Sequence, residues 1–198
     1  NIKLAIAMNY RYLFESSEHR TLGLKDDDGT LAPWGQYYLL GDVFKNKNAQ
    51  QLIPAANLLT RKVDVTPGSQ LDAILGLAYN NGGWSVDLGY NLFWKEHEDV
   101  DFKGSWNDEQ YGVAGADENM SVDIAFASDW IVAKENIDTS VAETPSYLTH
   151  KIYGGFGYIF KEWEYPLMLG VAAHYEFASD SGEQIENWGI WGKIGIAF

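Results

Sequence analysis

An all-β fold, closed as an antiparallel up-and-down β-barrel, is what the sequence predicts, and three stretches predict it. The last twelve residues, Asn187 to Phe198, alternate with a period of two. Trp188, Ile190, Gly192, Ile194, Ile196 and Phe198 fall on one face, and Gly189, Trp191, Lys193, Gly195 and Ala197 on the other. Residues 2 to 14 repeat the pattern, with Ile2, Leu4, Ile6, Met8, Tyr10, Tyr12 and Phe14 set against Lys3, Ala5, Ala7, Asn9, Arg11 and Leu13. Between them, Gln70–Tyr79 and Trp84–Trp94 flank Asn80-Asn81-Gly82-Gly83, the chemistry of a tight hairpin. A period of two means a strand with a different solvent on each side. Trp188 to Phe198 extends over roughly 33 Å, and a tilt of about 40° makes that roughly 25 Å of height, the apolar band of a membrane barrel.

A soluble sandwich shares this periodicity, and the end of the chain separates the two. Trp188, Ile194, Gly195 and Ile196 followed by a final Phe198 resemble the C-terminal signal by which Gram-negative outer-membrane proteins are recognised for assembly. The resemblance, with the strand pattern, is to porin-type barrels. It implies the cell outer membrane as location, with the outer-membrane assembly machinery, outer-membrane lipids and lipopolysaccharide as partners.

Composition agrees with a barrel and excludes other classes. Aromatic residues make up 15% of the chain, with 20 glycines and no cysteine. Aromatic side chains suit an interface that is apolar at one end and wet at the other, and glycine suits turns and crowded interiors. The formal charge of -14 opposes nucleic-acid binding, which needs a positive surface. No apolar run is long enough for a transmembrane helix. No phosphate-binding glycine motif, zinc spacing or cofactor fingerprint occurs, so no cofactor or metal is expected.

In chain order, His19–Lys25 reads as a short strand ended by the turn Asp26-Asp27-Asp28-Gly29, and Thr30–Phe44 as a strand apolar on both faces. The long stretch 45–68 holds Leu52, Ile53, Leu58 and Leu59 around Pro54; its two readings are an outer loop folded into the lumen and a surface cover or subunit contact. The hairpin of 70–94 comes next, followed by the acidic loop 96–105. Trp106–Gly115 is a weak strand, and an acidic turn at Asp117–Asn119 leads to a strand marked by Met120, Val122, Ile124 and Phe126. Leu148–Phe160 and the strand from Leu167 to Phe177 complete the set.

Short connections on one side and long ones on the other make the count ten strands in a single barrel domain over 1–198. Dropping the two weak strands, His19–Lys25 and Trp106–Gly115, leaves eight. A third reading makes the chain part of a larger barrel, because Asn1 opens within a strand.

The inward faces carry the candidate pore lining: Lys3, Arg11, Lys95, Lys151 and Lys193 against Asp72, Asp87, Asp123, Asp129 and Glu176, with His174 among them. Small residues such as Ala5, Ala7, Gly89, Gly155, Gly157, Gly170, Gly189 and Gly195 share that side. In a narrow lumen such charges pair and plug it, and in a wider one they line water and set selectivity. Passive diffusion of small hydrophilic solutes or ions is therefore the expected function. The alternative is a closed small barrel acting as a structural or adhesive surface protein through acidic outer loops.

An outer-membrane hydrolase or acyltransferase would need a nucleophile beside a histidine. None of His19, His97, His150 and His174 has such a motif, so an enzyme is not expected. Glu96-His97-Glu98-Asp99 with Asp101 lacks the ligand spacing of a calcium loop and reads as a solvated acidic loop. The aromatic excess leaves room for a homo-oligomeric contact.

Overall fold

The computed structural model describes residues 1–25, 29–43, 52–108, 110–116, 122–123, 131–179 and 186–197. The chain is built mainly of antiparallel strands, and among the described residues no helix is long and apolar enough to cross a membrane. Its contacts divide it into two compact units, residues 1–13, 67–97 and 145–198 in one and 14–66 with 98–144 in the other.

The first unit is one six-stranded antiparallel sheet. Its strands are β1 (Ile2–Leu13), β2 (Gly68–Asn81), β3 (Trp84–Lys95), β4 (Tyr147–Phe160), β5 (Leu167–Ala178) and β6 (Asn187–Ile196), and their order in space is their order in sequence. Each has 10 to 14 residues. β2 turns into β3 through Gly82 and Gly83 alone, and Gly82 has φ 61°, a left-handed value that suits hairpin twist and is free of strain only without a Cβ. Residues 161–166 join β4 to β5 at the same end, where Asn1 also lies, its ammonium donating to the Asn80 carbonyl at 2.7 Å. Both long insertions leave the sheet from the opposite end, between β1 and β2 and between β3 and β4.

Register places the alternating residues of all six strands together. Ile6 pairs with Leu75, Leu75 with Tyr90, Tyr90 with Ile152, Ile152 with Tyr175, and Tyr175 with Trp188. Directly opposed residues share a face. The outward side chains read from each strand separately thus form one continuous apolar surface. The next row, Ala7, Ile74, Asn91, Lys151, Glu176 and Asn187, lies on the other side.

The strands are also staggered. A line of partners from Ile2, the first residue of β1, passes Tyr79, Val86, Phe156 and Val171 to Gly192, four residues before the end of β6 at Ile196. From Asn187, the first residue of β6, the reverse line reaches Ala7, six residues short of Leu13. That is about one residue of slip per strand, a rise of about 3.3 Å for about 4.8 Å across, so the strands lean by roughly 35°. β1 and β6 are the edges, unpaired with each other, and the sheet is open.

The second unit has a core of its own. Leu22, Leu24, Leu40, Leu59, Val63 and Val132 are fully buried in it, and Trp106 donates its indole N–H to the Val132 carbonyl at 2.8 Å. Ser16–Thr21, Thr60–Thr66 and Asp99–Asp101 form one small sheet, and Tyr111–Val113, Leu39–Asp42 and Ile53–Pro54 another. Gly23–Leu24 pairs with Ile137–Asp138, and one short helix covers Ala55–Leu59. Arg20 binds Glu18 and Glu98, the latter at 2.8 Å, and also the Ala142 carbonyl. Burial of its guanidinium works against the charge, but the two carboxylates outweigh it and raise its pKa.

The sheet therefore has six strands where the sequence pointed to ten. The described parts of His19–Lys25, Thr30–Phe44 and Trp106–Gly115 join the second unit, where Leu22, Leu24, Ala32, Leu40 and Trp106 are buried in its core instead of lining one face of the long sheet. Residues 52–66 belong there too, with Ala55 and Leu59 buried within that unit's own core. The Asp117–Asn119 turn and Met120, Ile124 and Phe126 lie outside the described residues.

Candidate pore-lining face

The polar face of the sheet is built on small residues, and these let large side chains lie across neighbouring strands. The Tyr153 ring fills the space that a Cβ on its paired residue Gly89 would need. His174 lies in the same way over its partner Gly189, and the Asp87 carboxylate over Gly155. Near the end of the sheet where Asn1 lies, Asn80, Ser85, Asp87, Gly157, Trp191 and Lys193 border an open cavity of about 380 Å³.

Eight of the ten sequence-assigned charges stand on this face: Lys3 and Arg11 on β1, Asp72 on β2, Asp87 and Lys95 on β3, Lys151 on β4, Glu176 on β5 and Lys193 on β6. His174 is there as well. Asp123 is not: it lies in Val122–Asp123, paired with Gly115–Ala116 in the second unit. Its place in the lining was inferred from a strand of which only two residues are described. Asp129 lies outside the described residues.

Several of these groups are held by partners. The Asn91 amide donates to Asp72. Glu176 accepts from Lys151 Nζ and from Asn187 Nδ2, each at 3.3 Å. The Asn187 carbonyl oxygen can only accept, so its 2.9 Å contact assigns the proton to Nε2 of His174. Sequence reasoning left out Asn91 and Asn187, although their inward parity marks them. Lys95 is buried. Lys3, Arg11, Lys193 and Asp87 are exposed, with no side-chain partner among the described residues.

The opposite face presents an aliphatic band between aromatic ends. Toward the Asn1 end, Trp84 packs on Tyr158 at 4.4 Å and on Phe156 at 5.0 Å, and Phe160 on Trp163 at 5.0 Å. Toward the other end, His150 stacks on Phe177 at 5.2 Å and meets the Tyr90 hydroxyl at 2.6 Å, with Trp188 73% exposed on the edge strand. Between them Ile6, Leu88, Val171 and Ile190 are all more than half exposed.

Just beyond β3, Glu96 accepts the Ser69 amide at 2.7 Å, and this hydrogen bond lowers its pKa. Its carboxylate occupies the room beside Gly68, where φ is 70°. Glu98 is committed instead to Arg20. The acidic stretch 96–99 thus spends two of its carboxylates on separate structural contacts, and no group of three or more His, Asp and Glu among the described residues could hold a metal. Of the residues that the sequence offered as a terminal signal, Trp188, Ile194, Gly195 and Ile196 lie on β6 or at its end, and Phe198 lies outside the described residues. No family model, curated protein or solved structure matches the chain.

Proposed function

We propose that the six-stranded sheet is part of the wall of an outer-membrane β-barrel, and that the barrel is a porin-type channel for passive diffusion of small hydrophilic solutes or ions. The observation that carries this reading is the single exposed apolar face running across all six strands. In water an apolar surface of this size is a liability, whereas in hydrocarbon it is the required exterior. Strands of 10 to 14 residues leaning by roughly 35° fit a bilayer crossing, which takes about 9–11 tilted residues. Aromatic residues at both margins fit the two interfaces. Short connections at one end and long insertions at the other fit the periplasmic and outer sides.

Hydrocarbon leaves no backbone group unpaired, so the edges β1 and β6 are covered in the membrane. Six strands alone fall below the roughly eight needed to enclose side chains, and residues as large as Tyr153, Trp191 and Arg11 stand on the inner face. The wall accordingly takes in strands beyond these six.

The test is reconstitution of the folded protein in planar bilayers. Stable, ohmic single-channel steps support the channel. A correctly folded barrel, identified by heat-modifiable migration in detergent gels, that stays electrically silent favours the closed structural or adhesive barrel.

A further inference from the structure

We infer that the channel prefers anions to cations, although the chain as a whole is strongly acidic. The inference rests on the channel reading and names the class of solute it favours. The net charge of -14 is not carried by the wall. On the six strands the charged residues are Lys3, Arg11, Lys95, Lys151 and Lys193 against Asp72, Asp87 and Glu176. The acids concentrate in the insertions: 98–144 contains Glu98, Asp99, Asp101, Asp108 and further carboxylates against Lys103 and Lys134.

Pairing sharpens the asymmetry. Glu176 is neutralised by Lys151 and further held by Asn187, and Asp72 has an amide donor in Asn91. Lys95 is buried and does not enter the count. Among the described residues, what remains open to a solute is Lys3, Arg11 and Lys193 against Asp87 and Asp72, which keeps its charge because the Asn91 amide is neutral.

Position matters as much as number. Arg11 stands near the insertion end of β1, directly opposite Gln70. Lys3 and Lys193 stand near the other end, Lys193 at the rim of the 380 Å³ cavity. Asp87, on the row of Lys3 through Ala78, partly offsets one end only. Charges lining a pore act at close range in a low-dielectric wall, whereas exposed charges farther away than about 8–10 Å are screened at ordinary salt.

The experiment is the zero-current potential of single channels across a KCl gradient in planar bilayers. The sign expected is that of chloride permeability exceeding potassium permeability, by at least about twofold. The double variant Arg11→Glu with Lys193→Glu should bring that ratio below one, and Asp87→Asn, which removes one opposing charge, should raise it. Each variant is first shown to fold by heat-modifiable migration, and Lys3→Glu replaces either partner of the double variant that fails to fold. A conducting wild type that is unselective or prefers potassium overturns the inference while leaving the channel standing. So does a chloride preference unmoved by charge reversal. A folded but silent barrel overturns the channel reading, and this inference with it.

Discussion

The ring of Tyr153 occupies the space that a side chain on Gly89 would take, and the two residues are direct partners across β3 and β4. An aromatic ring covering a cross-strand glycine shields the backbone there and lets the sheet curve toward that side. Gly89→Val should therefore lower stability by about 1–3 kcal/mol through overpacking. Tyr153→Ala in the same chain should recover part of the loss. Urea midpoints for folding into phospholipid vesicles measure both.

The two faces of one strand should respond oppositely to charge. Ile152, exposed on the apolar face of β4, lies in the middle of the proposed lipid band. Ile152→Arg should cost about 2–4 kcal/mol, the depth-dependent cost of a cation at the bilayer midplane. Ala172→Arg, on the polar face of β5, should cost much less. The same urea titration compares them.

Within the second unit, Lys25 meets Asp138 at 3.1 Å. Burial pushes the Asp138 pKa upward, but Lys25 and the hydroxyl and amide of Ser140 together outweigh it, and the pKa is lowered. A carboxyl whose folded pKa lies below its unfolded value of about 3.9 stabilises above that value and loses the contribution as pH falls through the folded one. Protection of the Lys25 amide, which donates to the Asn136 carbonyl at 2.7 Å, should therefore fall below about pH 4. Asp138→Asn should flatten that dependence. Hydrogen exchange, corrected for intrinsic rates, reads it.

Arg20 joins the two segments of the same unit through Glu98 and the Ala142 carbonyl. Arg20→Ala leaves a nearly buried Glu98 without this partner, and hydrogen bonds to charged groups are worth about 1.5–3 kcal/mol. The unit's unfolding free energy should fall by about 2 kcal/mol, and 98–144 should become the preferred site of limited proteolysis.

The sheet was legible in the sequence because its strands alternate apolar with polar or small side chains at a period of two. Val171 and Ala173 alternate with Ala172 and His174 regardless of which strands lie beside them, and the ladder merely aligned six such readings. The second unit left no such trace. Leu22 and Leu24 are buried by residues as distant as Val132 and Ile137, and strands as short as Gly23–Leu24 cannot display a period. Thr60–Thr66 does alternate, with Val63 and Val65 buried, but it follows a helix within a stretch read as loop. On the polar face of the sheet, residue parity found the charges, while the amides that hold two of the carboxylates became visible only when register set Asn91 and Asn187 beside them.

The central claim is that this sheet has lipid on one face and water on the other, and the absence of cysteine makes a direct measurement available. Single cysteines along 168–176 on β5, spin-labelled in the reconstituted protein, report accessibility to oxygen, which dissolves in lipid, and to a water-soluble nickel chelate. The account predicts strict alternation, with oxygen favoured at 169, 171, 173 and 175 and the chelate at 168, 170, 172, 174 and 176. Chelate access at every position, or no alternation, would contradict it.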